Sequence, residues 1–106
     1  MWEVKVESSF SSAHHLLNYD GACENQHGHN WRVEVFAQGE QFDKSNILID
    51  FKALKKKLND LLDELDHTDI NELADFKDVS PSSEIISQYI YKRLKKDIPQ
   101  ISKVIS

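Results

Sequence analysis

Apolar and polar residues alternate along the first part of the chain with the two-residue period of a β-strand. Between residues 2 and 10, Trp2, Val4 and Val6 fall on one face, and charged residues occupy the positions between them. A second segment repeats the alternation after a polar loop, and its apolar face comprises His27, His29, Trp31, Val33, Val35 and Ala37. The pattern predicts two half-buried strands, the second of which begins at a pair of histidines.

Two later segments have the three- and four-residue spacing of amphipathic helices. Asp50 is the predicted N-cap of the first, whose apolar stripe comprises Phe51, Leu54, Leu58, Leu61, Leu62 and Leu65. Ser80 and Pro81 are predicted to begin the second, which should end near Asp97, before Pro99. Its apolar stripe comprises Ile85, Ile86, Tyr89, Ile90 and Leu94.

The order of these elements predicts an α+β fold. Residues 101–106 have the pattern of the start of a third strand, so the order is strand, strand, helix, helix and strand fragment. Elements segregated in this way favour an antiparallel sheet with two helices on one face, within a single domain of residues 1–106. A small sheet has open edges, which invite pairing with another copy of the chain. A homo-oligomer is therefore expected.

Composition and charge narrow the functional classes. The 106 residues carry a formal net charge of −5, which argues against a protein that holds nucleic acid by its phosphates. A single cysteine cannot form an internal disulfide bond. The sequence contains no signal segment and no apolar run long enough for a membrane span. These features predict a cytoplasmic protein that binds neither membrane nor nucleic acid.

Four histidines and the cysteine lie within sixteen residues, and three of these histidines, with the cysteine, are the candidates for chemistry. His27 and His29 are two residues apart, so on a strand they would point to the same face. His14 closes the preceding strand-like segment and could supply a third ligand, which leaves one coordination position open, as in catalytic zinc sites. His15 would point the other way. The arrangement predicts zinc binding by His14, His27 and His29.

Three other groups have both a structural and a functional interpretation. Cys23 could be a small buried apolar residue or, close to zinc, a thiolate base. Asp66 and His67 could form a polar helix end or an acid/base pair in which the carboxylate sets the charge and tautomer of the imidazole. The stretch from Ser80 to Glu84 is explained most simply, on physical grounds alone, as a helix start.

Several segments resemble the 6-pyruvoyl tetrahydropterin synthase family. Phe10 to Leu16 resembles its Phe-x-Ala-Ala-His-x-Leu stretch, with Ser12 in place of the first alanine, and Cys23 to Trp31 resembles its Cys-x-Asn-x-His-Gly-His-Asn-Trp stretch. Residues 47–51, 65–71 and 81–84 match further blocks in the same order. The three-residue gap between the cysteine and the His-Gly-His triplet favours the 6-carboxytetrahydropterin synthase branch of the queuosine pathway.

The resemblance implies a tunnelling fold: a four-stranded antiparallel sheet with two helices on one face, assembled through its edges into barrels and usually a hexamer. The implied zinc ligands are His14, His27 and His29. The implied catalytic residues are the base Cys23 and the relay pair Asp66 and His67. The implied pterin-binding residues are Glu84, Ser82 and Ser83.

The implied reaction converts 7,8-dihydroneopterin triphosphate to 6-carboxy-5,6,7,8-tetrahydropterin, acetaldehyde and triphosphate. Two departures leave alternatives open: Ile85 stands where the family often has asparagine, and the chain ends at Ser106, before the expected Glu-Thr segment and fourth strand. One alternative is therefore a zinc- and pterin-binding protein without turnover. Another is a 6-pyruvoyl tetrahydropterin synthase, which the short gap disfavours.

Overall fold

The computed structural model describes residues 1–17 and 27–106, without the side chains of His27 and His29. The main elements are β1 (Trp2–His14), β2 (His27–Gly39), α1 (Phe51–Asp63), α2 (Ser83–Asp97) and β3 (Ile101–Ile105), with short 3₁₀ helices at Ile70–Glu72 and Ala74–Phe76. The three strands form one antiparallel sheet in the order β1-β2-β3. The predicted α+β architecture is confirmed.

The ladder between β1 and β2 determines where the site lies. It pairs Trp2 with Gly39 at one end and His14 with His27 at the other. β3 pairs with residues 34–37 of β2, at the end of the ladder away from His27. The three strands therefore lie together at the Gly39 end, and the predicted metal ligands lie at the opposite end.

The core forms between one face of the sheet and the two helices. The inward side chains of β2 are buried as the alternation predicts, namely Trp31, Val33, Val35 and Ala37. The helices contribute the buried residues Leu54, Leu58, Leu61, Leu62, Ile86, Ile90 and Leu94. Each fully buried side chain of this size contributes about 1.5–3 kcal/mol to stability. Burial of this apolar stripe explains why both helices pack on the same side of the sheet.

Three features differ from the expectations. Strand β1 continues past Phe10 to His14, and α2 begins at Ser83 because Ser82, not Ser80, caps it by accepting a hydrogen bond from the Ile85 N–H. Phe51 is 54% exposed, because the first residue of α1 lies at the rim of an open groove beside β1 and not over the core.

The part of the chain that the structure describes has no helix long and apolar enough to cross a membrane.

Candidate active site

The imidazole of His14 is buried at the end of β1 and held in one orientation. Its exposed fraction is 6%, and its Nδ1 atom lies 2.8 Å from the backbone carbonyl oxygen of Pro81. Because a carbonyl oxygen only accepts hydrogen bonds, Nδ1 carries the proton and donates it. In the neutral ring the lone pair is then on Nε2, as a metal ligand requires.

Aromatic packing also restricts the His14 ring. The ring lies edge-on against Trp31, with centroids 4.8 Å apart and planes at 71°. Trp31 stacks in turn on Phe10, with centroids 5.6 Å apart and parallel planes. These contacts surround the imidazole with apolar surface and leave it little rotational freedom. His14 therefore fits the role of a preoriented ligand.

The backbone places the other two predicted ligands beside His14. The register puts His27 opposite His14 and His29 opposite Ser12. Opposite positions of an antiparallel pair, and positions two apart on one strand, share a face. Positions 14, 27 and 29 thus lie on the helix-covered face, and three imidazoles are a donor set suited to zinc.

Metal binding itself stays a prediction. The described side chains contain no group of three His, Cys, Asp or Glu residues that could hold a metal ion. That finding concerns only one of the three predicted ligands, because the side chains of His27 and His29 are outside the described part. Cys23 also lies outside the described residues.

Asp66 and His67 lie in the turn after α1 and are hydrogen-bonded to the backbone of β1. The Ser11 N–H donates to Asp66 Oδ1 at 2.8 Å, and the His67 N–H donates to the Ser11 carbonyl oxygen at 2.5 Å. Asp66 Oδ2 lies 3.5 Å from His67 Nε2. The structure thus brings the two members of the predicted relay pair together, in a turn and not at a helix end.

The backbone of His67 has a conformation that needs support. Its φ of +52° is left-handed, which costs a non-glycine residue about 1–2 kcal/mol. Two hydrogen bonds hold the next residue, Thr68. Its carbonyl oxygen accepts from the Ala13 N–H at 2.9 Å and from the Ser12 hydroxyl at 2.6 Å. This bonding to β1 stabilises the turn that presents His67.

His67 and His14 face opposite sides of the sheet. The side chain of His67 is 82% exposed and lines a depression with Ser11, Gly28 and Asn30 on the face away from the helices. Ser11 and Asn30 are joined there by a hydrogen bond of 2.6 Å between Oγ and Oδ1. His14 lies on the helix-covered face. The relay pair and His14, the one predicted ligand whose side chain the structure describes, therefore lie on different faces of the sheet.

Farther along this outer face the charges are paired. Glu7 contacts both Lys5 and Arg32, each at 2.9 Å. Hydrogen bonds from Lys5 and then Arg32 lower the pKa of the Glu7 carboxyl. These exposed pairs contribute little to stability.

The predicted pterin-binding residues lie at the start of α2. The Ser82 hydroxyl caps the helix, whereas Ser83 and Glu84 are exposed in its first turn. Pro81, whose carbonyl oxygen binds His14, immediately precedes them. Glu84 is thus three residues from the group that orients the predicted ligand.

Two groups that hold His14 and His15 in place are not predicted from the sequence. The Pro81 carbonyl is a backbone atom, so no residue type identifies it. Asn71 bonds the backbone of His15 through its side chain, and its place in the matching block 65–71 is the signal that could have identified it.

Comparisons with known proteins show which family the chain belongs to. Residues 3–105 match the family described as 6-pyruvoyl tetrahydropterin synthase. A Synechocystis 6-carboxy-5,6,7,8-tetrahydropterin synthase is 32% identical over 101 residues, which cover 91% of this chain and 77% of that protein. A Pyrococcus furiosus dihydroneopterin monophosphate aldolase is 34% identical over 96 residues, with the same two coverages.

A solved structure confirms the fold. The Caenorhabditis elegans 6-pyruvoyl tetrahydropterin synthase superposes with a TM-score of 0.85 at 28% identity, covering 97% of this chain and 85% of the other. The sequence and structural matches extend over nearly the whole chain. The protein belongs to the 6-pyruvoyl tetrahydropterin synthase family, and its fold is the tunnelling fold of that family.

Proposed function

We propose that the protein is a zinc-dependent lyase, a 6-carboxy-5,6,7,8-tetrahydropterin synthase of queuosine (7-deazaguanine) biosynthesis in the cytoplasm. The observation that carries the proposal is the His14 ring, which is buried, held through Nδ1 by Pro81 and paired in register with His27. The similarity to the Synechocystis synthase supports the choice of reaction within the family.

The side chains have distinct roles in this proposal. Zinc bound by His14, His27 and His29 would supply Lewis-acid stabilisation of oxyanion charge on the substrate side chain. Cys23 removes a proton from that side chain, and His67, oriented by Asp66, moves a second proton. Glu84 accepts hydrogen bonds from the pterin ring N–H and amino groups, which suits a carboxylate acceptor. Ser82 and Ser83 line the same helix start.

The opposite orientations of His14 and His67 support a site shared between copies of the chain. Within one protomer the sheet separates the two groups, so a proton relay to the zinc-bound substrate needs a His67 from a neighbour. The edges of the three-stranded sheet, apart from the end of β1 that residues 66–71 cover, offer the means of assembly. We therefore propose a homo-oligomer, a hexamer by resemblance to the family, with active sites between subunits.

A shared site predicts complementation between inactive variants. Cys23→Ala and His67→Ala proteins should each be inactive, and unfolding and refolding them together in equal amounts should restore activity. With random assembly, about a quarter of the sites would combine an intact Cys23 with a neighbour's intact His67. Turnover is measured before and after mixing, with each variant refolded alone as the control. No recovery in a correctly assembled mixture would place both residues within one protomer.

Product analysis tests the reaction. Purified protein incubated with zinc and dihydroneopterin triphosphate should yield acetaldehyde, triphosphate and 6-carboxytetrahydropterin, with the consumption of one water molecule. The absence of acetaldehyde and of any new pterin would contradict the proposed reaction. A product that keeps the whole carbon side chain would instead indicate a 6-pyruvoyl synthase.

The Pyrococcus furiosus relative favours a second candidate function. Its identity to this chain is comparable with that of the Synechocystis synthase, and it is a dihydroneopterin monophosphate aldolase. An aldolase breaks the bond between the first and second side-chain carbons after loss of the proton from the second hydroxyl, and a proton then adds to the first carbon. Incubation with dihydroneopterin monophosphate distinguishes the two functions, because the aldolase product is a hydroxymethyl pterin and glycolaldehyde phosphate.

A further inference from the structure

The side-chain carboxamide of Asn71 pairs with the backbone at the end of β1 as a peptide group of a neighbouring strand would. Its Oδ1 accepts a hydrogen bond from the His15 N–H at 2.9 Å, and its Nδ2 donates to the His15 carbonyl oxygen at 3.1 Å. A carboxamide offers one acceptor and one donor side by side, as a peptide group of a neighbouring strand does. Asn71 therefore satisfies both backbone groups of the residue that follows His14.

Other contacts hold Asn71 in place. Its own N–H donates to Asp69 Oδ1 at 3.1 Å, and Asp69 forms a bridge to Ala13 alongside β1. Ile70, between them, is fully buried. The carboxamide is thus attached to the core and not to a free loop.

The bonds on this edge flank His14. The Ala13 N–H donates to the Thr68 carbonyl oxygen at 2.9 Å on one side of His14, and Asn71 binds His15 on the other. On the opposite edge, His14 is in the last pair of the β1-β2 ladder. The hydrogen bonds at the end of a ladder break most easily. The bonds from Thr68 and Asn71 on the other edge of β1 therefore largely determine how firmly the backbone at His14 is held.

We infer that Asn71 is a positioning residue of the metal site, holding the backbone at His14 so that its ring keeps the Pro81 hydrogen bond and directs Nε2 toward the metal. This role rests on the proposed function, in which His14 is a zinc ligand. Groups that orient a metal-binding histidine typically change metal affinity 10- to 100-fold when they are removed. Asn71 does not contact the His14 ring directly but acts through the backbone of His15. We therefore expect its removal to lower zinc affinity by the smaller of these factors.

Zinc affinity of the purified full chain tests the role. Asn71→Ala should weaken zinc binding about tenfold. Asn71→Asp should also weaken it, because it keeps the acceptor for the His15 N–H but places a second oxygen against the His15 carbonyl. The matched control is Asn59→Ala, since Asn59 of α1 also ties β1 to a neighbouring segment, through a 2.5 Å hydrogen bond with the side chain of Ser8, but lies away from His14. That control should lose stability without losing zinc affinity.

A second readout is independent of zinc. Nitrogen NMR of the zinc-free protein reports the tautomer of His14, which should be protonated at Nδ1 in the wild type and mixed in both Asn71 variants. Equal zinc affinity and an unchanged tautomer in the Asn71 variants would overturn the inference. If the wild type binds no zinc, the proposed function fails, and the tautomer comparison alone decides whether Asn71 positions His14.

Discussion

Replacing Cys23 with alanine is expected to lower kcat about a thousandfold while each chain keeps its zinc ion, because a positioned general base contributes about 10²- to 10⁴-fold. A thiol near zinc has its thiolate favoured and removes a proton near neutral pH. Turnover and zinc content are measured on the same preparation. Loss of turnover with zinc retained would also reject the alternative of a pterin-binding protein without catalysis.

Glu24, the adjacent carboxylate, gives the matched comparison for Cys23. Glu24→Gln should retain most of the activity. If Glu24→Gln is inactive and Cys23→Ala is active, the base is Glu24 and the assignment to Cys23 is wrong. Equal loss of zinc in Cys23→Ala and in a histidine variant would instead make the cysteine a ligand.

Replacing His27 with alanine is expected to abolish zinc binding at stoichiometric concentrations, and turnover with it. A site with only two protein imidazoles falls short of the three protein ligands of catalytic zinc sites. Elemental analysis after gel filtration measures the zinc content. His15→Ala is the control, because His15 follows the last paired residue of β1 and has its backbone bound by Asn71. It should retain zinc, and a loss equal to that of His27→Ala would show that the ligand set is misassigned.

Periodicity was sufficient to predict most of the fold. The alternation in β2 and the leucine spacing of α1 reflect burial directly, because one face of each element packs into the core. The start of α2 was misplaced because Ser80 and Ser82 are equally good caps by composition. The structure uses Ser82 for the cap, and the Ser80 hydroxyl instead accepts from the Leu17 N–H at 3.0 Å. That choice depends on a contact 63 residues away in sequence.

The two 3₁₀ helices were not predicted for a related reason. Each has three residues, which is too few to show a period. Their buried side chains, Ile70 and Phe76, close the core between the helices and β1. Tertiary packing stabilises both segments, and the Asp69 side chain also caps the first of them.

The candidate site was predicted in its residue types but not in its geometry. The motif identified His14, Asp66 and His67, and the structure brings the last two together. Sequence could not show that His67 faces away from His14, because its direction depends on a left-handed turn held by the backbone of β1. The proposal that the site is shared between copies therefore depends on this turn, which the sequence pattern does not reveal.

X-ray absorption spectroscopy of the zinc-loaded protein tests the central claim most directly. Three imidazole ligands predict a first shell of nitrogen and oxygen atoms at about 2.0–2.1 Å and no sulfur. Multiple scattering from the imidazole rings should correspond to three histidines. A zinc–sulfur distance of about 2.3 Å would contradict the account, because Cys23 would then be a ligand and not the base.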